Sequence, residues 1–503
     1  MAKVIKPNPA YNFLYLRGID GTSVAHIIVA NESLPSEFTQ WALANEAGVS
    51  VAHVAAQFRR LPKDFNNWEL ADNTGRTVAH VAAQYGNLPK YLKKYYLADQ
   101  TGWTVGHILA GLGEIKGFKD WDLADDRGWT VAHEAAKAGF LPDNFNQWDL
   151  KDARGWSVAH SAAEHTGKPF PVKFEFWELI DLEGWSVAHV AAKFDTLSVD
   201  FDQWELAGPN GETVAHVAAK AGFLPKNFAQ WELTDSGGTT VAHVAARWGT
   251  LPNSFDQWEL RDALGQTVAH IVAKNNYLPS NFNKWELTDF QGMTVAQLAV
   301  FYGRLPLHLG DWNIKTSEGQ PLPHLAIVKD RLPDNFSQWD IKDEKGETVA
   351  HVAAKIGNRL PMDFSQWDLR DAAGDTVAHV AAIHGHLPRG FSQWSLLDGE
   401  RRPVAYFAAK NGKLPPSFDN WMLSDPMGKT IAHISASLNK LPRNFDQWFL
   451  ADCDGWTVAH EAAERGFLPK DIEPNVLEYA DNYGQTVAQI LAKNRLSEGE
   501  NNA

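Results

Sequence analysis

Small and apolar positions recur along this chain in blocks of about 27 residues, and each block has two halves. In "TVAHEAAKAG" (130–139), Val131, Ala132, Ala135 and Ala136 have the spacing of one helical face. Thr130 stands where a helix N-cap is expected, and Gly139 where a left-handed residue ends the last turn. The first half therefore predicts a helix of two to three turns. In "LPDNFNQWDL" (141–150), Phe145 and Trp148 fall three apart behind Pro142, a residue tolerated in a first helical turn. The second half predicts a shorter helix. Asp-x-x-Gly segments such as "DARG" (152–155) join the blocks and suit a tight turn.

Aligned on the histidine of Val-Ala-His, the blocks place His26, His53, His80, His107, His133, His160, His189, His216, His243, His270, His324, His351, His379, His433 and His460 in one register. Gln297, Tyr406 and Gln489 hold the same position in three further blocks, which makes eighteen repeats. His165, His308, His384 and His386 lie outside it. Tyr11, Leu14 and Leu16 fall where later repeats carry Phe, Trp and Leu, so residues 1–18 read as a half repeat capping the array. The array runs over 19–495, and 496–503 form a polar tail expected to be disordered.

Two short helices cannot bury their own apolar faces, whereas stacked copies share one core. The predicted architecture is an all-α, elongated solenoid. At roughly 8 to 10 Å between packed helices, eighteen repeats imply a contour on the order of 150 Å. Fifteen of the 21 tryptophans fall at the Phe-x-x-Trp position and read as core.

The consensus Asp-x-x-Gly-x-Thr-Val-Ala-His-x-Ala-Ala-x-x-Gly, as in "GETVAHVAAKAG" (211–222), resembles the first half of the ankyrin repeat over essentially the whole chain. It departs from that family in Val for the family's Pro and in a second half cut to "LPxxFxxWxL". The resemblance implies non-enzymatic protein binding through the turn tips and the exposed face of the first helix. It also implies that each register histidine bonds near its turn and ties adjacent repeats together.

The chemistry-bearing residues fit that reading. Histidines one repeat apart are too distant to share an ion at zinc bond lengths of about 2 Å. "HEAAK" (133–137) lacks the second His of a metalloprotease motif, and no phosphate loop or nucleophile elbow occurs. We expect no catalytic residue, no cofactor and no metal. The single cysteine, Cys453, excludes an intramolecular disulfide and suggests a reducing compartment. The N-terminus lacks a signal-peptide core and no window approaches eighteen uninterrupted apolar residues, which predicts a soluble, cytoplasmic protein with no membrane contact. Net charge is −15, against direct nucleic-acid binding and compatible with a basic protein partner.

Six tryptophans depart from the core register. Trp103, Trp129, Trp156, Trp185 and Trp456 occupy the x of Gly-x-Thr, the first four in consecutive repeats. His165, Phe194 and Trp248 stand just beyond the Ala-Ala pair of nearby helices. Exposed aromatic strips are candidate binding hot spots. The expected site is centred on residues 100–250, with Trp129, Trp156 and Trp185 as anchors; the alternative is self-burial, the rings stacking on each other or covering the irregular loops at 111–121 and 164–177. A second irregular zone runs from "GMTVAQLAV" (292–300) through "GQPLPHLAI" (319–327), with Gln297, Pro321 and His324, and a third is "DGERRPVAYFAA" (398–409); each is a hinge, a further contact or drift in a tolerant array. The function expected is a scaffold or sequestering binder, the alternatives being a bacterial or phage effector that inhibits its target, delivered to a host cell in that case, or an acidic nucleic-acid mimic.

Overall fold

The computed structural model describes residues 9–275, 278–305, 309, 311–357 and 360–500, so His308 lies outside the described residues. The chain divides into two compact bodies, one within 1–263 and one within 264–503. Among the described residues the first holds nine α-helices, from Val24–Asn31 to Val241–Trp248, and the second nine more, from Val268–Asn275 to Val487–Glu500. Among the described residues there are isolated β-bridges but no longer strand. No described helix is long and apolar enough to cross a membrane. Both bodies are arrays of repeats, each a short hairpin turn followed by an α-helix.

One repeat shows why the sequence folds this way. In the helix Val131–Ala138, the first N–H groups would be orphaned, as at any helix start. Here Val131 N–H donates to the Leu123 carbonyl at 2.9 Å, Ala132 N–H to that of Trp121 at 3.1 Å, and His133 N–H to Thr130 Oγ1 at 3.3 Å. Gly139 ends the helix in the left-handed region, φ 74°. Before the helix, Ala124 and Thr130 pair as a bridge that closes the Asp-x-x-Gly turn into a small hairpin. Asp125 Oδ1 accepts from the N–H groups of Arg127 and Trp129 and fixes that turn.

The second half differs from expectation. In most described repeats the segment between the Leu-Pro and the next Asp-x-x-Gly forms two successive turns, not a short helix; after Leu468-Pro469 a 3-10 helix, Pro474–Glu478, takes the place of the second turn. Phe228 N–H donates to Pro225 O at 3.0 Å, and Leu233 N–H to Gln230 O at 3.4 Å. The reason is backbone accounting: the Trp and Leu carbonyls that a second helix would use bond the N–H groups of the helix that follows. So short a helix is also marginal by itself. The last described helix, Val487–Glu500, carries the backbone helically into the tail expected to be disordered.

The core follows the aromatic positions. In the first body, Trp121, Phe145, Trp148 and Phe174 form a run of edge-to-face contacts with centroids 5.4, 5.1 and 5.3 Å apart. In the second, Trp312, Phe336 and Trp339 continue the pattern at 5.1 and 5.0 Å. Eleven of the fifteen register tryptophans are buried, while Trp41, Trp148, Trp204 and Trp258 are partly so. Leu14 is buried against Ala25, Val29 and Phe38.

Candidate binding cleft

The register histidines are committed to structure. His133 Nε2 faces the Trp156 carbonyl of the next repeat at 2.9 Å, while Nδ1 lies 2.7 Å from Thr130 Oγ1 and 3.1 Å from the Thr130 backbone nitrogen. A carbonyl only accepts and a backbone N–H only donates, so the proton sits on Nε2 and Nδ1 accepts. His107, His160 and His189 reach the Trp129, Trp185 and Glu212 carbonyls in the same way, at 2.8, 3.2 and 3.0 Å. Burial holds His107, His133 and His189 below the ordinary histidine pKa and takes His160 down to about 4; the facing carbonyl acts in the opposite sense. Among the described residues no three His, Cys, Asp or Glu side chains gather as a metal site.

The turn tryptophans are half-buried, because each lies over the histidine of its own repeat. Trp103 stacks on His107 at 4.5 Å, and Trp129 and Trp156 lie over His133 and His160 at 4.9 and 4.8 Å with interplanar angles of 33° and 34°. Glu134 Oε2 also accepts the Trp129 indole N–H at 3.2 Å. That bond accounts for the His-Glu pair of "HEAAK". Trp185 is different: its ring stands at 72° to His189, edge to face at 5.4 Å.

The cause lies in the next turn. Along most of the first body the turns are laced together, as where Asp126 N–H donates to Thr101 O and Ala153 N–H to Arg127 O, both at 2.9 Å. A Cβ on Gly128 or Gly155 would come within 2.9 Å of the next repeat's backbone nitrogen. After Trp185 the sequence reads Gly208-Pro209 where Asp and a donor residue are expected. Pro209 has no N–H to give, and the nearest atom to a Cβ on Gly184 is a Pro209 side-chain carbon at 3.6 Å. Gly208 also makes room for His189, whose Nε2 would lie 2.9 Å from a Cβ there.

At this opening the first body has a cleft of about 590 Å³. Trp156, Trp185, Phe194 and Trp248 line it together with Val190, Val217 and Ala221. Phe194 is 36% exposed and Trp248 57%. Four carboxylates, Glu164, Asp181, Glu183 and Glu212, and two ammonium groups, Lys193 and Lys220, complete the wall. Asp181 Oδ1 accepts the N–H groups of Glu183 and Trp185, both at 2.9 Å, and so sets the turn that carries the Trp185 ring. Lys193 Nζ lies 5.1 Å above the Phe194 ring and Lys220 Nζ 5.3 Å above that of Trp248.

Four of the seven expected site residues thus converge. Trp103, Trp129 and His165 do not line this cleft. Trp129 is tied to its own helix by Glu134 and lies outside this cleft, whereas Trp248 lines it. His165 is exposed, with Nδ1 3.2 Å from the Ser161 carbonyl and 3.6 Å from Glu164 Oε2. The charged cleft residues missed from sequence are Glu164, Asp181, Glu183, Glu212, Lys193 and Lys220. Glu212 was legible in principle, since it follows Trp103, Trp129, Trp156 and Trp185 at the x of Gly-x-Thr.

No family model matches this chain. No curated protein matches it. Among solved structures it is similar to the ankyrin repeat domain of Bcl-3, a member of the IkappaB protein family, at 17% sequence identity and a TM-score of 0.25, covering 44% of this chain and 92% of that chain.

Proposed function

We propose that this protein is a non-enzymatic binder of another protein, an adaptor, scaffold or sequestering antagonist, and that its partner seats in the Trp156–Trp185–Trp248 cleft. The observation that carries the reading is the convergence of three tryptophans and Phe194 on one open cleft with charged walls. Large rigid rings bury much area at small entropic cost, the composition of an interface hot spot. The register histidines, whose ring nitrogens face the cap and the next repeat, are occupied in holding the array and fit no proton-transfer role. A reducing, cytosolic setting suits the lone exposed thiol, Cys453. Inhibition of a target by occupancy is the form an effector or antagonist role would take.

The test is affinity capture with the full chain, with Trp185→Ala/Trp248→Ala, and with Trp456→Ala, the same turn position in the second body. We expect the captured partner to be lost in the double variant, with helicity and thermal midpoint retained, and kept in Trp456→Ala. A partner retained at wild-type level by the double variant overturns the proposal.

A further inference from the structure

We infer that the partner segment entering the cleft is basic and is recognised through an arginine side chain. This rests on the cleft being the binding site and names what it binds. Two features of the wall carry it. The cleft residues comprise four carboxylates against two lysines, and both lysines already lie over ring faces, at Phe194 and Trp248. In the free chain the rings therefore attract cations from their own surroundings, and a stronger cation displaces them. Glu183 is exposed, and Glu212 holds in the next repeat the turn position that Trp185 holds in its own. A cation stacked on that indole has carboxylates close by to complete its charge.

The second body shows a guanidinium bound in this manner. At Arg402, the position equivalent to Trp185 in its own repeat, Nε donates to Asp398 Oδ2 and Nη1 to Glu400 Oε2, both at 2.7 Å. The guanidinium carbon lies 4.8 Å from the Phe407 ring centre and 5.9 Å from that of Tyr406. This repeat surface thus holds a planar cation between turn carboxylates and helix-borne rings. In the cleft the carboxylates and rings are present without an arginine of the chain's own. Arginine is preferred to lysine because its planar fork stacks on an indole and bonds a carboxylate at the same time.

The test uses the full chain and a fluorescein-labelled Gly-Ser-Arg-Gly-Arg-Ser-Gly peptide, read by anisotropy at low salt. The comparison peptide carries citrulline at both arginines, which keeps the shape and removes the charge. Saturable binding of the arginine peptide is expected, with the citrulline peptide weaker by about ten-fold or more. Glu183→Gln/Glu212→Gln should weaken the arginine peptide by about the same factor, and Glu286→Gln/Glu344→Gln, which changes net charge equally elsewhere, should leave it unchanged. Equal binding of the two peptides, equal effects of the two charge pairs, or no binding of the arginine peptide each overturns the inference. In those cases the partner capture above still stands or falls on Trp185 and Trp248, so the two failures are distinguishable.

Discussion

Replacing His133 probes the device that joins the repeats. His133 is fully buried, and its imidazole bridges the Thr130 cap and the Trp156 carbonyl. His133→Ala leaves the Trp156 carbonyl and the Thr130 N–H without these partners, at about 1–3 kcal/mol for each buried group left unsatisfied. It also opens a cavity the size of the ring. The expected cost is about 3–5 kcal/mol, the range for truncating a large buried side chain. His133→Gln should cost about half as much, because the chain's own glutamines each keep part of the bridge. Gln489 Oε1 accepts the Thr486 cap N–H at 2.9 Å, whereas Gln297 reaches forward to Ser317 at 3.0 and 3.2 Å. Hydrogen exchange followed by mass spectrometry reads the effect repeat by repeat, which a single unfolding midpoint of a repeat array does not. Protection should fall in the segments 131–138 and 158–165 and stay unchanged in 349–356 and 377–384. A loss below about 1 kcal/mol at the mutated repeat, or an equal loss in the distant ones, would refute the assignment of His133 as a local tie.

Further outcomes follow from the same geometry. Burial depresses the histidine pKa, so these groups stabilise the fold fully above the ordinary value of about 6.5 and that stability is lost as pH falls toward the folded value, about 4 for His160. The thermal midpoint followed by circular dichroism should therefore fall steadily between pH 6.5 and 4, and a flat profile contradicts the neutral bridge. Gly128→Ala meets both a positive φ of 77° and the Ala153 backbone nitrogen at 2.9 Å, whereas Gly139→Ala meets φ 74° with nothing within 4 Å. Denaturant melts should show the first costing about 2–3 kcal/mol and the second about 1 kcal/mol; equal costs would remove the close approach as a cause. Trp231→Ala, which breaks ring contacts at 5.0 and 5.2 Å, should cost about 3–5 kcal/mol by the same measurement.

The parts of the fold legible in sequence are those set by local chemistry. Thr130 before Val131, Gly139 after Ala138 and Gly128 in its turn each answer a backbone requirement within a few residues. The missing second helix was not legible, because the competition that removes it is non-local: the Trp121 and Leu123 carbonyls are taken by N–H groups about ten residues on. Trp129 and Trp185 look equivalent in register. Their difference depends on Glu134 in one repeat and on Gly208-Pro209 beyond the other, so only the packed array separates a tethered ring from one facing a cleft. Gly208-Pro209 departs from the Asp-x-x-Gly pattern in the sequence itself, but what that departure does depends on the hydrogen bonds that lace adjacent turns, a property of the packed array.

The central claim is that the cleft beside Trp185 is where a partner protein binds. A photo-crosslinking residue placed at Phe194, inside the cleft, and separately at Phe449, 59% exposed in the second body, tests it directly. In the native extract, the account predicts one dominant protein adduct from position 194 that disappears when Trp185→Ala/Trp248→Ala is added, and none of it from position 449. The same adduct from both positions, or an adduct at 194 that survives the double substitution, would contradict it.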